Sequence, residues 1–288
     1  MPVATAQLTP VELHGGLLLK REDQHRHPSG VNGSKLRACQ YLLGRARERG
    51  ATRVISAASV LSPQNAMAAV VARDLGMSCT VILGGTKPET ALRHRSPAIA
   101  AAAGADFEYI KVGYNPALQR AARQLAAADR YYYHLSYGVT YPPDATTWEI
   151  RDFYAVGAAQ VANLPDSVRT LVIPFGSGNT ACGVLLGLAE HAPAALERII
   201  TIGIGPDRRQ WLDDRLGELD AYPPFPMEHV QLHPDFATYG DKMKASIGNV
   251  RLHETYEAKI AVWAEQNRPG WWTRRDGSTC LWVVGGPI

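Results

Sequence analysis

Short apolar runs alternate with segments of helical period along most of this chain of 288 residues. Several runs are apolar at every position, which is typical of parallel strands that helices cover on both faces. Glycines follow three of the helical segments, as expected where a helix ends in a left-handed residue. The pattern predicts strands over residues 17–21, 54–57, 80–83, 107–112, 131–135, 171–175, 199–204 and 280–284. It predicts helices over residues 36–49, 66–75, 88–103, 116–127, 147–162, 180–190 and 256–266.

Repeated strand–helix units of this size indicate an α/β fold built on mainly parallel sheets. Three consecutive units between residues 54 and 127 would form a small domain, for which we predict the boundaries 40–142. Residues 1–39 and 143–288 would form a larger domain, with the crossing at the Pro142-Pro143 pair. Residues 206–244 lack a clear period, so we predict a long functional loop there with one short helix over 208–219.

Composition narrows the class of protein. Hydrophobic residues make up 46% of the chain and charged residues 20%, which allows a sizeable core. The net charge of +3 neither favours nor excludes a polyanionic partner. We see no signal peptide and no apolar run near the roughly 20 residues of a membrane span, so we predict a cytoplasmic protein without a membrane partner. The four cysteines form no Cys-x-x-Cys pair, so we expect reduced thiols and no metal site.

A lysine directly after a turn of small residues is the first candidate for chemistry. Lys35 follows a segment with two glycines and two serines, residues 29–34, at the head of the first predicted helix. An amine at the entrance to a packed element loses water, which lowers its pKa and makes it a nucleophile toward carbonyl carbons. The alternative is an ordinary solvated lysine on the first turn of a helix.

A loop of small residues after the strand at 171–175 is the second candidate. Glycines let backbone N–H groups converge on an anion, and the N-terminus of the following helix adds its positive dipole end. The loop has neither the lysine of a P-loop nor the Gly-x-Gly-x-x-Gly spacing of a dinucleotide site, which argues against a dehydrogenase. A tight strand–helix turn is the plainer alternative. The loop consists of Gly176, Ser177, Gly178, Asn179 and Thr180.

Two further segments carry polar side chains at predicted helix starts. Residues 56–65 run from a strand through serines into a helix and would suit a carboxylate, although a helix capped by Ser62 fits equally well. Glu257 stands at the start of the last predicted helix. A carboxylate near the centre of a sheet must be paired or serve a ligand, whereas an acid in the first turn of a helix is ordinarily favoured by the dipole.

Taken together and in order, these motifs resemble the fold type II family of pyridoxal phosphate enzymes, the tryptophan synthase β-subunit group. The likeness is greatest to the branch of 1-aminocyclopropane-1-carboxylate deaminase and D-cysteine desulfhydrase, and it runs from about residue 17 to the C-terminus. This resemblance implies a two-domain, three-layer α/β/α fold with mainly parallel sheets, bound pyridoxal 5′-phosphate and a homodimer. It rests on Leu19-Lys20-Arg21-Glu22-Asp23, Gly33-Ser34-Lys35-Leu36-Arg37, the loop at 176–180 and Thr255-Tyr256-Glu257-Ala258-Lys259.

The resemblance also implies a role for each matched residue. Lys35 would form a Schiff base with the cofactor and later move the Cα proton. The cofactor phosphate would lie in the loop at 176–180, and Glu257 would face the pyridine nitrogen, which favours a protonated ring and a strong electron sink. Ser62 would stand near the substrate carboxylate or relay a proton, while Tyr256 and Tyr239 would reach the substrate over the cofactor face.

The sequence departs from the family in the segment at 56–65. Pro63 replaces the asparagine that normally meets the cofactor 3′-oxygen, so we expect Gln64 or Asn65 to substitute for it. Our main interpretation is a lyase or deaminase that forms a carbanion on a small-molecule amine or free amino acid.

Other functions stay open at this point. They are a racemase or decarboxylase, a non-catalytic cofactor-binding module, and an enzyme that modifies an amino acid attached to a nucleotide base, as in phage-type DNA hypermodification. For the last of these, the basic stretch at 268–275, with Trp271 and Trp272, would contact nucleic acid by phosphate contacts and stacking.

Overall fold

The structure, a computed structural model, describes residues 7–270 and 276–286. It contains a six-stranded sheet and a four-stranded sheet, with helices packed against both. This is the α/β architecture with mainly parallel sheets that the sequence predicts, so the fold class is confirmed. Among the residues described, no helix is both long and apolar enough to cross a membrane.

The six-stranded sheet is assembled from the two ends of the chain. Its strands, in spatial order, are β1 (Val11–His14), β2 (Leu17–Arg21), β12 (Thr279–Val283), β7 (Thr170–Phe175), β8 (Arg198–Gly203) and β9 (Met227–Gln231). All neighbours pair in parallel except β1 and β2, which form an antiparallel hairpin. The accompanying helices are α6 (Thr147–Ala158), α7 (Asn179–Glu190), α8 (Arg209–Leu219) and α9 (Glu257–Asn267). A short ribbon of β10 (Ser246–Ile247) and β11 (Val250–Arg251) precedes α9.

The four-stranded sheet is formed by the middle of the chain and is parallel throughout. Its strands, in spatial order, are β5 (Asp106–Ile110), β4 (Ser78–Gly84), β3 (Arg53–Ala57) and β6 (Tyr132–Leu135). The helices of this region are α1 (Ser34–Glu48), α2 (Pro63–Asp74), α3 (Pro88–Ala91), α4 (Arg95–Ala102) and α5 (Asn115–Ala127). Helix α1 crosses residue 40, so the boundary that we predict there falls within a helix; the domain boundaries stay predictions.

Apolar side chains cover both faces of each sheet. The largest cluster lies between the sheets and takes residues from α1, α2, α6 and α7, among them Leu43, Val70 and Leu185. A second cluster, with Ile260 of α9, covers the outer face of the large sheet, and a third, with Leu118 of α5, covers that of the small sheet. Strand β7 is buried at every position, as its uninterrupted apolar sequence predicts. The four cysteines are free and buried.

Two local predictions are wrong. The helix predicted over 88–103 is two helices, because Pro97 cannot donate to the carbonyl four residues earlier and is accommodated only in the first turn of a new helix. The segment 206–244 contains α8, close to the predicted helix, but also the edge strand β9. Half-buried edge strands carry no continuous apolar run, so the pairing of β9 with β8, not its pattern, makes it a strand.

Candidate functional site

Lys35 lies in the first turn of α1, at the carboxyl edge of the large sheet. The preceding Gly33 has φ of +94°, and a Cβ on it would lie 2.4 Å from the carbonyl oxygen of Val284, so only glycine fits. The Ser34 amide then donates to that carbonyl at 2.9 Å. The turn of small residues thus fixes Lys35 beside the end of β12. The side chain is half-buried, and its amine has no hydrogen-bond partner among residues 7–270 and 276–286.

The loop predicted to bind an anion, residues 176–180, follows β7 and lies beside this lysine turn; we call it the anion loop. The Ser34 hydroxyl is 3.0 Å from the Thr180 hydroxyl, so the first turns of α1 and α7 are in contact. The Asn179 side chain accepts a hydrogen bond from the Tyr154 hydroxyl at 3.2 Å. The structure therefore brings both motifs to one cleft, whose lining includes Lys35, Ser177, Asn179 and Thr180.

Two glycines of the anion loop are required by close contacts. A Cβ on Gly176 would lie 2.8 Å from the ring of Tyr256, and a Cβ on Gly178 would lie 2.0 Å from the ring of Trp211. Gly178 also has φ of +94°, which L-residues rarely adopt. Sequence reasoning missed Trp211, because no motif marks an aromatic side chain that reaches this loop from α8.

Glu257 is fully buried at the start of α9. Its Oε1 accepts a hydrogen bond from the Val284 amide at 2.6 Å, whereas its Oε2 is buried without a partner in the described part of the chain. Burial raises the pKa of Glu257 to about 8, against the hydrogen bonds that it accepts. Val284 thus binds the lysine turn through its carbonyl and Glu257 through its amide. The unsatisfied oxygen indicates that a bound group supplies the missing donor.

The hydroxyls of Tyr239 and Tyr256 form a hydrogen bond of 2.8 Å next to the anion loop. Burial raises the pKa of Tyr239 above its usual value, and the Tyr256 hydroxyl adds to this effect, while the charge of Lys35 opposes it. Burial lowers the pKa of His253 to about 4, with the cations Lys242 and Lys35 adding to the shift. His253 is a neutral neighbour of the site that sequence reasoning missed.

A buried lysine holds the segment that carries Tyr239. Lys259 is fully buried two residues after Glu257, and its amine donates to the carbonyl of Thr238 at 2.6 Å and to that of Tyr239 at 3.4 Å. The Asp241 carboxylate accepts from the Thr238 amide in the same turn. The loop predicted to be functional is therefore fixed to the first turn of α9 where it meets Tyr256.

The polar side chains at the start of α2 form hydrogen bonds within the protein. Ser62 is the N-cap of α2 and accepts from the Gln64 amide at 3.3 Å, as in the plainer of the two interpretations above. The Gln64 side chain accepts from the Gly138 amide at 2.9 Å, and Asn65 accepts from the Ser56 hydroxyl at 2.9 Å. Gln64 and Asn65 thereby shape the loops around the cleft. The roles of all three residues toward cofactor and substrate stay predictions.

The segment after β6 is a second feature that sequence reasoning missed. Val139 is buried with φ of +59°, a strained backbone conformation for a β-branched residue. Its carbonyl accepts from the Asn179 side chain at 3.5 Å, and a Cβ on Gly138 would lie 4.0 Å from the Ser177 Cβ. This segment therefore connects the small sheet to the anion loop. A glycine just after a predicted strand signals a turn, but nothing in the sequence signals a left-handed valine.

The stretch proposed from the sequence for nucleic-acid contact is largely outside the described residues. Arg268 donates to Glu228 at 3.1 Å, while Trp271 and Trp272 belong to the undescribed residues 271–275. In the part of the chain that the structure covers, no group of three or more His, Cys, Asp or Glu side chains is arranged to hold a metal ion.

Comparison with known proteins places this geometry in a family. The family described as "Pyridoxal-phosphate dependent enzyme" matches residues 2–262. The chain is 30% identical to the O-seryl-dTMP PLP-dependent decarboxylase of Salmonella phage ViI, over 89% of this chain and 73% of that protein. It is 28% identical to the nocardicin C-9′ epimerase of Nocardia uniformis subsp. tsuyamanensis, over 99% of this chain and 92% of that protein.

Solved structures share the fold. A homologue of ACC deaminase superposes with a TM-score of 0.72 at 20% identity, covering 97% of this chain and 89% of that one. Threonine deaminase isoform 2 from Solanum lycopersicum gives a TM-score of 0.66 at 16% identity, covering 100% and 86%. With the family match, these findings establish that this chain belongs to the pyridoxal-phosphate-dependent enzymes of fold type II, with pyridoxal phosphate as its cofactor.

Proposed function

We propose that this chain is a decarboxylase that acts on an amino acid carried by a nucleotide. The observation that carries the proposal is the buried Glu257. Its Oε2 has no partner among the described residues, and its Oε1 is bound to the same strand end as the turn of Lys35. The identity of 30% with a decarboxylase named for O-seryl-dTMP supports both the bond that is broken and the class of substrate.

The residues present fit the cofactor. The amides and hydroxyls of the loop at 176–180 would hold its phosphate at the N-terminus of α7. Lys35 would hold its aldehyde carbon, and the unpartnered Oε2 of Glu257 would accept a hydrogen bond from its ring nitrogen. When bound, pyridoxal phosphate supplies an electron sink for a bond broken at the substrate Cα.

Glu257 decides how strong that sink is. Because burial raises the pKa of this carboxyl to about 8, it is a poor anion when it stands alone. A cationic N–H held opposite Oε2 would reverse this preference, and the carboxylate would keep the proton on that nitrogen. This mutual stabilisation favours a reaction that leaves a full negative charge on Cα, which decarboxylation does.

The reaction exchanges a carboxylate for a proton at one carbon. The bond between Cα and the carboxylate breaks, CO₂ leaves, and the electron pair stays with Cα until a proton is added. Lys35 would deliver that proton, since its amine has no competing hydrogen-bond partner in the described structure. Ser62, at the N-terminus of α2, would orient the leaving carboxylate at the positive end of that helix.

A deaminase or lyase that acts on a free amino acid is the second candidate. The hydroxyl pair of Tyr239 and Tyr256 favours it, because elimination and ring opening require additional proton transfers near Cα. The likeness to deaminases of known structure, below 25% identity, concerns the fold alone. The identity to the epimerase, 28%, gives a racemase as a further outcome of the same test.

The test is a product screen with purified protein saturated with pyridoxal phosphate. We expect O-seryl-dTMP to lose CO₂ and retain its amine, and free L- and D-serine to react much more slowly. Release of ammonia and a keto acid from free amino acids, with O-seryl-dTMP unchanged, would support the second candidate and refute the first. A Lys35→Arg variant is the matched control for every product. The mass of the protein in solution checks the homodimer, which is part of this proposal.

A further inference from the structure

The carboxyl edge of the small sheet carries an excess of positive side chains. Because all four strands are parallel, their carboxyl ends emerge together, and the loops that follow them form one face about 14 Å across at the usual strand spacing. These loops, at 58–62, 85–95, 111–114 and 136–140, contain a single acidic residue, Glu89. We call their surface the small-sheet face; its cations are Lys87, Arg93, Arg95 and Lys111.

None of these four cations forms an ion pair within the described ranges. At the opposite edge of the same sheet two arginines are paired with carboxylates. Arg53 pairs with Asp129 at 3.6 Å, and Arg49 pairs with Glu149. The small-sheet face therefore carries four cations against one acidic side chain, although the net charge of the chain is only +3. Such a patch attracts a polyanion by phosphate contacts.

The small-sheet face also exposes side chains on which bases can stack. Tyr114 is 61% exposed and Tyr137 is 45% exposed, and Leu61 beside the α2 cap is 68% exposed. Exposed aromatic rings between cations are the recognition surface of single-stranded nucleic acid, because every base offers a π-face. A duplex hides those faces, so rings of this kind favour unpaired bases.

The face borders the cleft. The guanidinium of Arg95 lies 3.2 Å from the position that a Cβ would take on Gly30, in the turn that leads to Lys35. Tyr137 adjoins Gly138, which lines the cleft. A strand that places one modified base in the cleft would cross this face with its neighbouring nucleotides.

We infer that the small-sheet face binds single-stranded DNA and presents a modified base of that strand to the cleft. This inference deepens the proposed function and rests on it, since it states that the nucleotide is part of a strand. Lys87, Arg93, Arg95 and Lys111 contact phosphates, and Tyr114 and Tyr137 stack on bases flanking the target.

The experiment measures binding of the holoenzyme to a fluorescein-labelled thymine oligomer of about 20 nucleotides, by anisotropy over a range of salt concentrations. We compare Arg93→Ala/Arg95→Ala with Arg47→Ala/Arg130→Ala, which removes two exposed arginines from the opposite edge. The first variant should bind at least about tenfold more weakly at low salt, and its salt slope should fall by about 1.4, or 0.7 for each lost phosphate contact. The control should stay within about twofold of the wild type.

A second arm tests stacking. Tyr114→Ala should weaken binding by about fivefold or more without changing the salt slope, whereas Tyr222→Ala, exposed on the large domain, should have no effect. Equal losses in Arg93→Ala/Arg95→Ala and in its control, no binding by the wild type at low salt, or equal affinity for the matched duplex would each overturn the inference.

The outcome is separable from that of the proposed function. CO₂ release is assayed with the wild-type protein and free O-seryl-dTMP, so this result does not depend on Arg93 or on Arg95, which lies against the turn that leads to Lys35. Binding of the oligomer without any CO₂ release by the wild type would leave the DNA surface standing and remove the decarboxylase. CO₂ release from the free nucleotide without binding of the oligomer would do the reverse.

Discussion

The carboxyl edges of the two sheets are built in opposite ways. At the edge of the large sheet, Val284 binds both the turn of Lys35 and Glu257, and the anion loop is packed so closely that two of its glycines admit no side chain. At the edge of the small sheet, four cations have no ion pair within the described residues, and aromatic rings are exposed. The difference indicates two kinds of binding site. A cofactor needs fixed contacts in one geometry, whereas a large substrate needs exposed groups with which it can form contacts when it binds.

Replacing Lys35, at the edge of the large sheet, should have the largest effect on activity. Lys35→Arg keeps the charge, but its guanidinium does not attack a carbonyl carbon. We expect loss of the yellow absorption that borohydride bleaches, and a fall in kcat of at least about 10³-fold. Absorption spectra and product assays measure both, and Lys244→Arg, on an exposed segment, serves as the control. Normal absorption in Lys35→Arg would show that another group holds the cofactor.

Introducing a side chain at a glycine of the anion loop should have the second-largest effect. Gly178→Ala places a methyl group against Trp211 and forces a left-handed alanine, so we expect affinity for pyridoxal phosphate to fall by about 100-fold, or about 3 kcal/mol. Gly50→Ala is the matched control, because Gly50 has a similar φ of +91° with open space around it. It should lose about 1–2 kcal/mol of unfolding free energy and none of the cofactor affinity. Equal cofactor affinity in the two variants would show that the close contact does not matter.

The buried carboxylate should have an intermediate effect that depends on pH. In cofactor-free protein, the raised pKa of Glu257 means that its protonated form stabilises the fold below pH about 4.5, and that this contribution is lost as pH rises through about 8. The free energy of unfolding should therefore decrease by up to about 4 kcal/mol toward pH 9. Glu257→Gln should flatten this dependence and lower the kcat of the holoenzyme by about 10- to 100-fold.

Denaturant titrations at several pH values measure the free energy of unfolding, and initial rates measure the kcat of the holoenzyme. Glu265→Gln, on the exposed side of the same helix, controls for removal of a carboxylate outside the core. If Glu257→Gln retains the pH dependence of the wild type, the titrating group lies elsewhere.

Removing one hydroxyl of the Tyr239–Tyr256 pair should have the smallest effect on the rate. Tyr239→Phe removes one hydrogen bond to Tyr256 but keeps the ring, so decarboxylation should slow by only about 3- to 10-fold, near the value of one lost hydrogen bond. Tyr222→Phe, whose hydroxyl donates to the Asp213 carbonyl far from the cleft, is the control. A loss above about 10³-fold in Tyr239→Phe would favour the deaminase candidate, in which this pair takes part in proton transfer. Steady-state rates on O-seryl-dTMP decide between the two.

Much of this fold could be predicted because its signals are local. The apolar runs of β3, β4 and β7 and the helix of Lys35 are marked by side chains within a few residues, and the predicted limits agree to within a few positions. The edge strand β9 has no such pattern, and the break between α3 and α4 depends on where Pro97 falls within a turn. Both errors occur where pairing or helix geometry outweighs periodicity.

The sequence by itself determined the α/β class, the lysine behind its glycine turn and the small-residue loop for an anion. These depend on periodicity and on glycine conformations that neighbouring residues dictate. Tertiary structure alone decided that Val284 binds both the turn of Lys35 and Glu257, and that Trp211 packs against the anion loop. It also decided that Val139 takes a left-handed backbone conformation beside that loop. It also decided which of the described arginines pair with a carboxylate. Such contacts join residues far apart in sequence, so they exist only after the two sheets have packed around one core.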